Sequence, residues 1–196
     1  MTVDTNQLLF ENRNYKDPHH RIMAQEKKGL LIPLKRGLYE TDPDCPGYLL
    51  ANHLAGPSYL SFEYALSWYG MIPERVNVYS SAVFDKRKQL KFTNKFGVFT
   101  YRDIPKEVFP YYYTQEMLAG RTFLIATREK ALCDYLSKLS PVRGLHNFED
   151  LLFDGVRLDE EIFYELEHEK IRRIAPLYHK TNLDQLIKLL EKRGQQ

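Results

Sequence analysis

The sequence predicts an α+β protein. Hydrophobic residues make up 43% and charged residues 28% of its 196 residues, which is typical of a globular chain that can bury a core. Short apolar stretches bounded by turn residues gather before residue 127, which predicts strands. After residue 127, apolar residues recur at helical spacing instead. Strands grouped early and helices grouped late favour the α+β class over alternating α/β.

The chain is expected to divide into a first segment, residues 1–44, and a main domain, residues 45–196. The proposed boundary falls at 41–47, where two prolines and a glycine interrupt any regular element. No internal repeat or low-complexity stretch suggests a further division. Two units, one small and one large, are compatible with this length.

The first segment has the pattern of a helix followed by a hairpin. Asp17 and Pro18 are a favourable helix start, Gly29 is a favourable end, and Ile22 and Met23 are expected on the inner side. Strands are predicted at 30–34 and from Leu38, around a basic glycine turn at 35–37. This order is the closing half of a winged helix. The fold predicted here is a short, truncated winged-helix segment, since the residues before 15 allow only one short helix.

Positive charge is concentrated in this segment. Residues 13–36 hold seven Lys/Arg and two acidic residues, a net charge of +5, whereas the whole chain carries +2. In a helix that enters the major groove, residues near its N-terminus reach bases and wing cations reach phosphates. The alternative is a set of solvated charges beside a small hairpin. The residues expected to contact bases are His19, His20 and Gln25. The residues expected to contact phosphates are Lys16, Arg21, Lys28, Lys35 and Arg36.

A second basic cluster, Lys86, Arg87 and Lys88 with Lys91 and Lys95, is predicted on a hairpin of the main domain. It could hold a nucleic-acid backbone. It could equally consist of edge-strand lysines, which discourage pairing with other chains. The residues alone leave both alternatives open.

The strands of the main domain are predicted from alternating apolar residues between turns. We expect them at 59–60, 76–84, 90–92, 97–102 and 123–126. The three central strands are separated only by charged or glycine-containing turns. They are therefore expected to form an antiparallel meander.

The helices of the main domain are predicted from capping residues and apolar spacing. Ser61 is expected to cap a helix that buries Phe62, Ala65 and Leu66, and Thr127 to cap a second one. A helix is also expected at 47–54. Three more helices are predicted near 147–153, 159–169 and 182–193.

No pattern in the chain indicates catalysis, a cofactor or a membrane. The two cysteines, Cys45 and Cys133, form neither a metal-ligand pattern nor a disulfide framework. There is no phosphate-binding glycine loop and no nucleophile elbow. Glu74, Asp85 and Lys88 could imitate a nuclease site, but their spacing is loose. With no signal peptide or apolar span, we expect a cytoplasmic protein that is not an enzyme and needs no metal.

The sequence resembles the AbiEi family, the antitoxins of type IV toxin–antitoxin systems. The resemblance spans residues 14–136 and includes Leu-Lys-Arg-Gly-Leu-Tyr at 34–39. It implies a winged helix that represses its own operon by binding repeats in double-stranded operator DNA. It also implies a C-terminal domain that counteracts a nucleotidyltransferase-like toxin. The patches that carry it are 14–18, 28–30, 34–39, 56–66, 69–74, 96–101 and 125–134.

Five polar residues lie in the most family-like patches: Ser61, Glu63, Arg128, Glu129 and Asp134. They would either cap helices and form a buried ion pair, or belong to the antitoxic surface. The run Tyr111–Tyr113 could stack single-stranded nucleic acid or cover the core. For the whole protein, two alternatives to the DNA-binding antitoxin stay open. One is a protein-binding antitoxin without DNA binding, and the other is a metal-dependent nuclease-like enzyme.

Overall fold

The protein is α+β, as predicted, in a computed structural model that describes residues 1–86, 89–118 and 120–193. The strands in this part of the chain form one three-stranded antiparallel sheet and one six-stranded mixed sheet. The main core lies between the larger sheet and the helices. None of the helices formed by the described residues is long and apolar enough to cross a membrane.

The first segment folds as a small sheet with two helices. Its elements are β1 (Thr2–Asp4), α1 (Thr5–Glu11), α2 (Pro18–Lys27), β2 (Ile32–Lys35) and β3 (Leu38–Glu40). β3 is central and pairs antiparallel with both neighbours. The predicted helix and hairpin are present, whereas β1 was not predicted.

Local capping explains both helices of this segment. Asp4 accepts a hydrogen bond from the backbone N–H of Gln7, and Asp17 accepts one from His20, each at 2.9 Å. Ile22 is buried as predicted, in a cluster of four apolar residues. The prediction for Met23 was wrong, because its side chain is 56% exposed. Successive residues on a helix point about 100° apart, and only one face of α2 meets the small core.

The larger sheet has the strand order β6-β7-β5-β4-β9-β8. β5 and β7 are parallel, as are β4 and β9, so the predicted antiparallel meander was wrong. After β5 the chain first forms the edge strand β6 and returns in a hairpin, which places β7 between them. β8 was not predicted. The strands are β4 (Ser58–Leu60), β5 (Val78–Val83), β6 (Leu90–Asn94), β7 (Gly97–Asp103), β8 (Tyr113–Leu118) and β9 (Arg121–Ala126).

The remaining helices follow the predicted order with one difference. The helix expected at 159–169 is divided in two, because the N–H of Glu167 donates to the Glu129 carboxylate at 3.2 Å instead of continuing the helix. A 3₁₀ turn (Gly47–Leu49) precedes α3, and a π turn (Leu151–Gly155) follows α6. The helices are α3 (Ala51–Leu54), α4 (Phe62–Trp68), α5 (Arg128–Leu136), α6 (Leu145–Asp150), α7 (Glu160–Tyr164), α8 (His168–Ile174) and α9 (Thr181–Arg193).

The two sheets are in direct contact. Leu34 on β2 is part of the main core. The side-chain amide of Asn94, at the end of β6, donates to the carbonyl of Leu34 at 3.1 Å. Arg121 on β9 donates to the carboxylate of Glu40 at the end of β3, also at 3.1 Å. The small sheet is thus attached to the main domain at both ends of its hairpin.

Candidate functional site

The first segment carries a basic surface without local compensation. All seven cations between residues 13 and 36 are exposed. None of them forms an ion pair with a carboxylate of the described residues. Their charge is therefore not neutralised by a carboxylate within the described part of the chain. We call the set the basic N-terminal surface: Arg13, Lys16, Arg21, Lys27, Lys28, Lys35 and Arg36.

The residues predicted to face bases are placed differently from one another. His19 and His20 lie in the first turn of α2 and are exposed. Gln25 is half-buried, and its side-chain oxygen is enclosed without a hydrogen-bond partner. Of these three side chains, the two histidines are therefore the ones fully presented to solvent.

The two cations of the β2–β3 turn also differ. Lys35 donates from Nζ to the carbonyl of Leu54 at 2.7 Å, and its ammonium lies 5.9 Å from the ring centre of Phe92. Leu54 is the last residue of α3, where carbonyls lack partners within the helix. Arg36 is exposed and forms no ion pair with a carboxylate in the described ranges. Lys35 is thus held against the main domain, and Arg36 is the cation that the turn presents to a partner.

The second basic cluster is only partly described. Arg87 and Lys88 lie outside the described residues. The backbone N–H of Lys86 donates to Asp103 at 3.0 Å. Lys91 is exposed on the edge strand β6, where a lysine discourages pairing with another chain. The described part of the cluster fits the edge-strand alternative.

A fully buried polar cluster connects α5 to the sheet and to the C-terminal helices. The carboxylate of Asp134 accepts hydrogen bonds from the hydroxyls of Ser61 (2.7 Å), Tyr178 (2.6 Å) and Tyr59 (3.1 Å). Lys130, one turn earlier on α5, forms an ion pair with the same carboxylate at 3.4 Å. Every one of these side chains lies in the interior. The cluster joins the Tyr59–Ser61 stretch and the Tyr178 region to α5 through one carboxylate.

Burial and hydrogen bonds explain the electrostatics of this cluster. Burial lowers the pKa of Lys130, and the neighbouring Asp134 offsets part of that effect. Lys130 also donates to the carbonyl of Val108 and to the hydroxyl of Tyr178, both at 3.0 Å. Burial, with the Asp134 charge next, raises the pKa of Tyr59 and Tyr178. Both phenols therefore stay protonated and act as hydrogen-bond donors to the carboxylate.

The five predicted polar positions do not form one surface. Ser61 stands at the start of α4, but its hydroxyl donates to Asp134 and caps no helix, so that prediction was wrong. Glu63 forms an ion pair with Arg102, and Arg128 forms one with Glu165 at the surface. Glu129 is buried, where it accepts the N–H of Glu167 as described above. Of the five, Ser61 and Asp134 are joined by a hydrogen bond.

Sequence reasoning missed the residues that complete the buried cluster: Tyr59, Lys130 and Tyr178. One signal was available, because Lys130 and Asp134 have opposite charges four residues apart, a spacing that brings side chains together on a helix. The tyrosines gave no such signal. Tyr59 and Tyr178 are 75 and 44 residues away from Asp134 along the chain.

A second polar junction holds the first segment to the main domain. The carboxylate of Glu40 is fully buried and accepts bonds from Arg121, the Thr2 hydroxyl and the N–H groups of Thr41 and Asp42. The N-terminal ammonium of Met1 also contacts it. Burial alone raises the pKa of Glu40, but these hydrogen bonds outweigh it and lower the pKa to about 2. Glu40 is thus held as a carboxylate at neutral pH.

The tyrosine run at 111–113 does not form an open platform. Tyr113 stacks on the buried ring of Tyr59, with ring centres 5.1 Å apart. Tyr111 lies against Arg173, and Tyr112 against Lys170. These contacts favour the second alternative, a segment that covers the core.

Comparison with known proteins adds no family to this description. The chain matches no protein-family model, and no curated protein sequence matches it. The resemblance to AbiEi antitoxins therefore rests on the sequence patches alone. Within the described ranges, no three His, Cys, Asp or Glu side chains are grouped so as to hold a metal ion. Glu74, considered for a nuclease site, pairs with Arg157 at 2.9 Å.

Proposed function

We propose that this protein is an AbiEi-like antitoxin and transcriptional autorepressor that binds double-stranded operator DNA through its basic N-terminal surface. The observation that carries the proposal is that seven exposed cations between residues 13 and 36 lack carboxylate partners among the described residues. Clustered cations of this kind release counterions from DNA when they meet phosphates, which provides affinity.

The arrangement of the first segment supports the same proposal. Its order of strand, two helices and two strands, with β3 central in the sheet, supports a comparison with the corresponding elements of a winged helix. In that comparison α2 takes the place of the recognition helix. His19 and His20 at its N-terminal end would meet base edges, while Lys28 and Arg36 would meet phosphates. Lys35 would hold the turn in place.

DNA binding is tested with a labelled duplex that carries the sequence upstream of the protein's own gene, and with a scrambled duplex of equal length. Fluorescence anisotropy at several salt concentrations gives the affinity and its salt slope. We expect tighter binding to the upstream duplex and a steep salt dependence. Equal, salt-independent binding to both duplexes would remove operator recognition from the proposal.

The antitoxic activity is assigned to the main domain. Co-expression with the nucleotidyltransferase-like toxin of the same operon, scored as cell growth, tests this assignment. Point variants of the full chain are preferable to truncation at the 41–47 boundary, since truncation also removes Leu34, Lys35 and Glu40 from their contacts with the main domain. His19→Ala with His20→Ala should abolish repression and leave toxin neutralisation intact.

The proposed role is not catalytic. Purified protein incubated with DNA or RNA and Mg²⁺ or Mn²⁺ should leave the nucleic acid intact. Asp85 provides the check, because it belongs to the loose acidic set considered for a nuclease. Metal-dependent cleavage that is lost in Asp85→Ala would show that the protein is a nuclease and contradict the proposed regulatory role.

One observation favours the second candidate, an antitoxin that binds a partner protein through this segment. Four large apolar side chains of the α1–α2 region are at least half exposed: Phe10 (66%), Tyr15 (50%), Met23 (56%) and Leu30 (59%). Exposed apolar residues of this size are typical of protein-contact surfaces. Replacing Met23 with Glu should weaken toxin binding in calorimetry under this candidate. Under the DNA-binding proposal it should leave toxin neutralisation unchanged.

A further inference from the structure

An aromatic groove lies between α4 and the β6–β7 turn, and no residue of the basic N-terminal surface lines it. It has a volume of about 560 Å³, a size typical of small-ligand sites. Trp68, the only tryptophan of the chain, lines it and is 41% exposed to solvent. We use the name aromatic groove for the space lined by Tyr48, Tyr64, Trp68, Tyr79, Phe96 and Arg75.

The rings of this groove form a continuous wall. The ring centre of Trp68 is 5.5 Å from Tyr48 and 6.3 Å from Tyr64. Tyr64 in turn lies 5.2 Å from Tyr79. Such spacings are those of interacting aromatic pairs, so each ring restrains the next. A flat aromatic ligand would meet a surface that is already formed.

Tyr79 is held especially closely. A Cβ atom on Gly47 would come within 2.2 Å of its ring, and one on Gly97 within 2.9 Å. The ring therefore packs against backbone at both glycines. It also stacks on Phe99, whose ring centre is 5.0 Å away. The position of this side of the groove is fixed before any ligand arrives.

The groove carries one uncompensated positive charge. Arg75 is exposed and forms no ion pair within the part of the chain that the structure describes. The carboxylate of its neighbour Glu74 is engaged by Arg157 at 2.9 Å. No Asp or Glu lines the groove. In the adjoining cavity, by contrast, Arg102 is neutralised by Glu63.

The tyrosine hydroxyls add hydrogen-bond donors to this charge. Burial raises the pKa of Tyr64, and the nearby hydroxyls of Tyr79 and Tyr48 raise it further. Burial also raises the pKa of Tyr48. Both phenols are therefore neutral at physiological pH and keep their hydroxyl protons as hydrogen-bond donors.

We propose that the aromatic groove binds a nucleotide, whose base stacks on the exposed face of Trp68 and whose phosphate pairs with Arg75. Every base has a π face, so stacking of this kind tolerates different bases. The nucleotide is either free or an unpaired residue of a single strand, since both present the same base and phosphate. A proline-rich peptide also suits aromatic grooves but brings no anion for Arg75.

The test uses Trp68 as its own reporter. The fluorescence of the full-length protein is titrated with adenosine monophosphate, with a short single-stranded oligoadenylate, with ribose 5-phosphate and with a neutral proline-rich peptide. We expect saturable quenching by the mononucleotide or the oligonucleotide and weaker binding of ribose 5-phosphate. Absence of quenching by both nucleic-acid probes, equal binding of ribose 5-phosphate, or binding of the peptide alone would overturn the proposal.

Two variants assign the binding to this groove. Arg75→Gln should weaken nucleotide binding about tenfold, the effect of losing one hydrogen-bonded ion pair, while Arg143→Gln on another exposed loop should leave it unchanged. Trp68→Ala should weaken binding by about tenfold or more. Its affinity is measured by calorimetry, once thermal unfolding has confirmed that the variant is folded. Unchanged affinity in Arg75→Gln would place the ligand elsewhere and overturn the assignment.

The two nucleic-acid probes then distinguish the sources. Equal affinity for mononucleotide and oligonucleotide would identify a free nucleotide as the ligand. Much tighter binding of the oligonucleotide, reduced in Arg75→Gln, would identify an unpaired nucleotide of a strand. Either result supports the groove as a nucleotide site.

Discussion

Lys130 and Asp134 lie one turn apart on α5 with their charged atoms 3.4 Å apart, and both side chains are fully buried. Neither charge has access to water, so each depends on the other and on the hydroxyls around them. Removal of one partner from such a pair costs more than the pair contributes, because an unpaired charge stays buried.

Asp134→Asn should therefore destabilise the fold by about 3–5 kcal/mol, measured by urea denaturation. Adding Lys130→Met to that variant should recover part of the loss, since no unpaired ammonium then remains in the core. A double variant that is no more stable than Asp134→Asn alone would show that hydroxyl contacts, and not charge pairing, dominate this cluster.

The two cations of the β2–β3 turn should respond differently to substitution. Arg36→Ala should lower the salt slope of DNA binding by about 0.9, the contribution of one phosphate contact. Lys35→Ala should leave that slope nearly unchanged and instead destabilise the protein by about 1 kcal/mol, because it loses the bond to the Leu54 carbonyl. Anisotropy titrations and thermal unfolding of both variants check this. A reduced salt slope in Lys35→Ala, together with reduced stability in Arg36→Ala, would contradict the structure of the turn.

The lowered pKa of Glu40 predicts how the stability of the fold depends on pH. Its pKa falls from an ordinary value of 4.5 to about 2 in the folded chain. A carboxyl with a lowered folded-state pKa contributes stability that is complete above about pH 4.5 and is lost as the pH falls towards 2. The contribution is on the order of 3 kcal/mol. Glu40→Gln should remove it, so that its stability deficit is full at pH 7 and small near pH 2.

Asp44→Asn is the matched control for Glu40→Gln. Asp44 is an exposed carboxylate a few residues away that forms no ion pair with the described cations. Denaturation curves of the two variants and the parent chain between pH 2 and 7 separate the Glu40 junction from general charge effects. Equal curves for both variants would contradict the role given to Glu40.

The thiols should be unreactive in the folded protein. Cys133 is completely buried, and burial raises its pKa, as it also does for Cys45. Because the thiolate is the reactive form, a thiol reagent should label neither residue until denaturant unfolds the chain. Mass spectrometry with and without urea checks this. Rapid labelling of Cys133 under native conditions would contradict the packing around α5.

Elements with a complete local signal were predictable. Asp17 and Pro18 define the start of α2 within adjacent residues, and Thr127 does the same for α5 through its bond to the N–H of Lys130. The β6–β7 hairpin closes over a few residues, so its two strands were also expected. Such signals depend on neighbours in sequence alone.

Elements that depend on distant partners were not predictable. β1 is three residues long and exists as a strand because it pairs with β3, more than 30 residues later. The parallel pairing of β5 with β7 follows from the path of the chain around β6. The break between α7 and α8 requires the carboxylate of Glu129, 38 residues away. Local propensity contains none of these contacts.

The two candidate sites also differ in whether they depend on local sequence or on contacts between distant residues. The basic N-terminal surface could be predicted because charge is read directly from the sequence, whereas the bond of Lys35 to the Leu54 carbonyl and the enclosed oxygen of Gln25 could not. The aromatic groove could not be predicted. Tyr48, Trp68, Tyr79 and Phe96 come from four separate parts of the chain, and only the fold brings them together.

The contact of Tyr79 with two glycines has an evolutionary consequence. Any larger residue at position 47 or 97 would collide with the ring, so the three positions are coupled by exclusion. Homologous chains that keep an aromatic residue at the position of Tyr79 are expected to keep glycine at both others. Chains that lose the glycine at position 47 should carry a small residue in place of the ring, whereas position 97, at φ +133°, favours glycine with or without the ring. An alignment of homologous chains would then show correlated residues at positions 47 and 79.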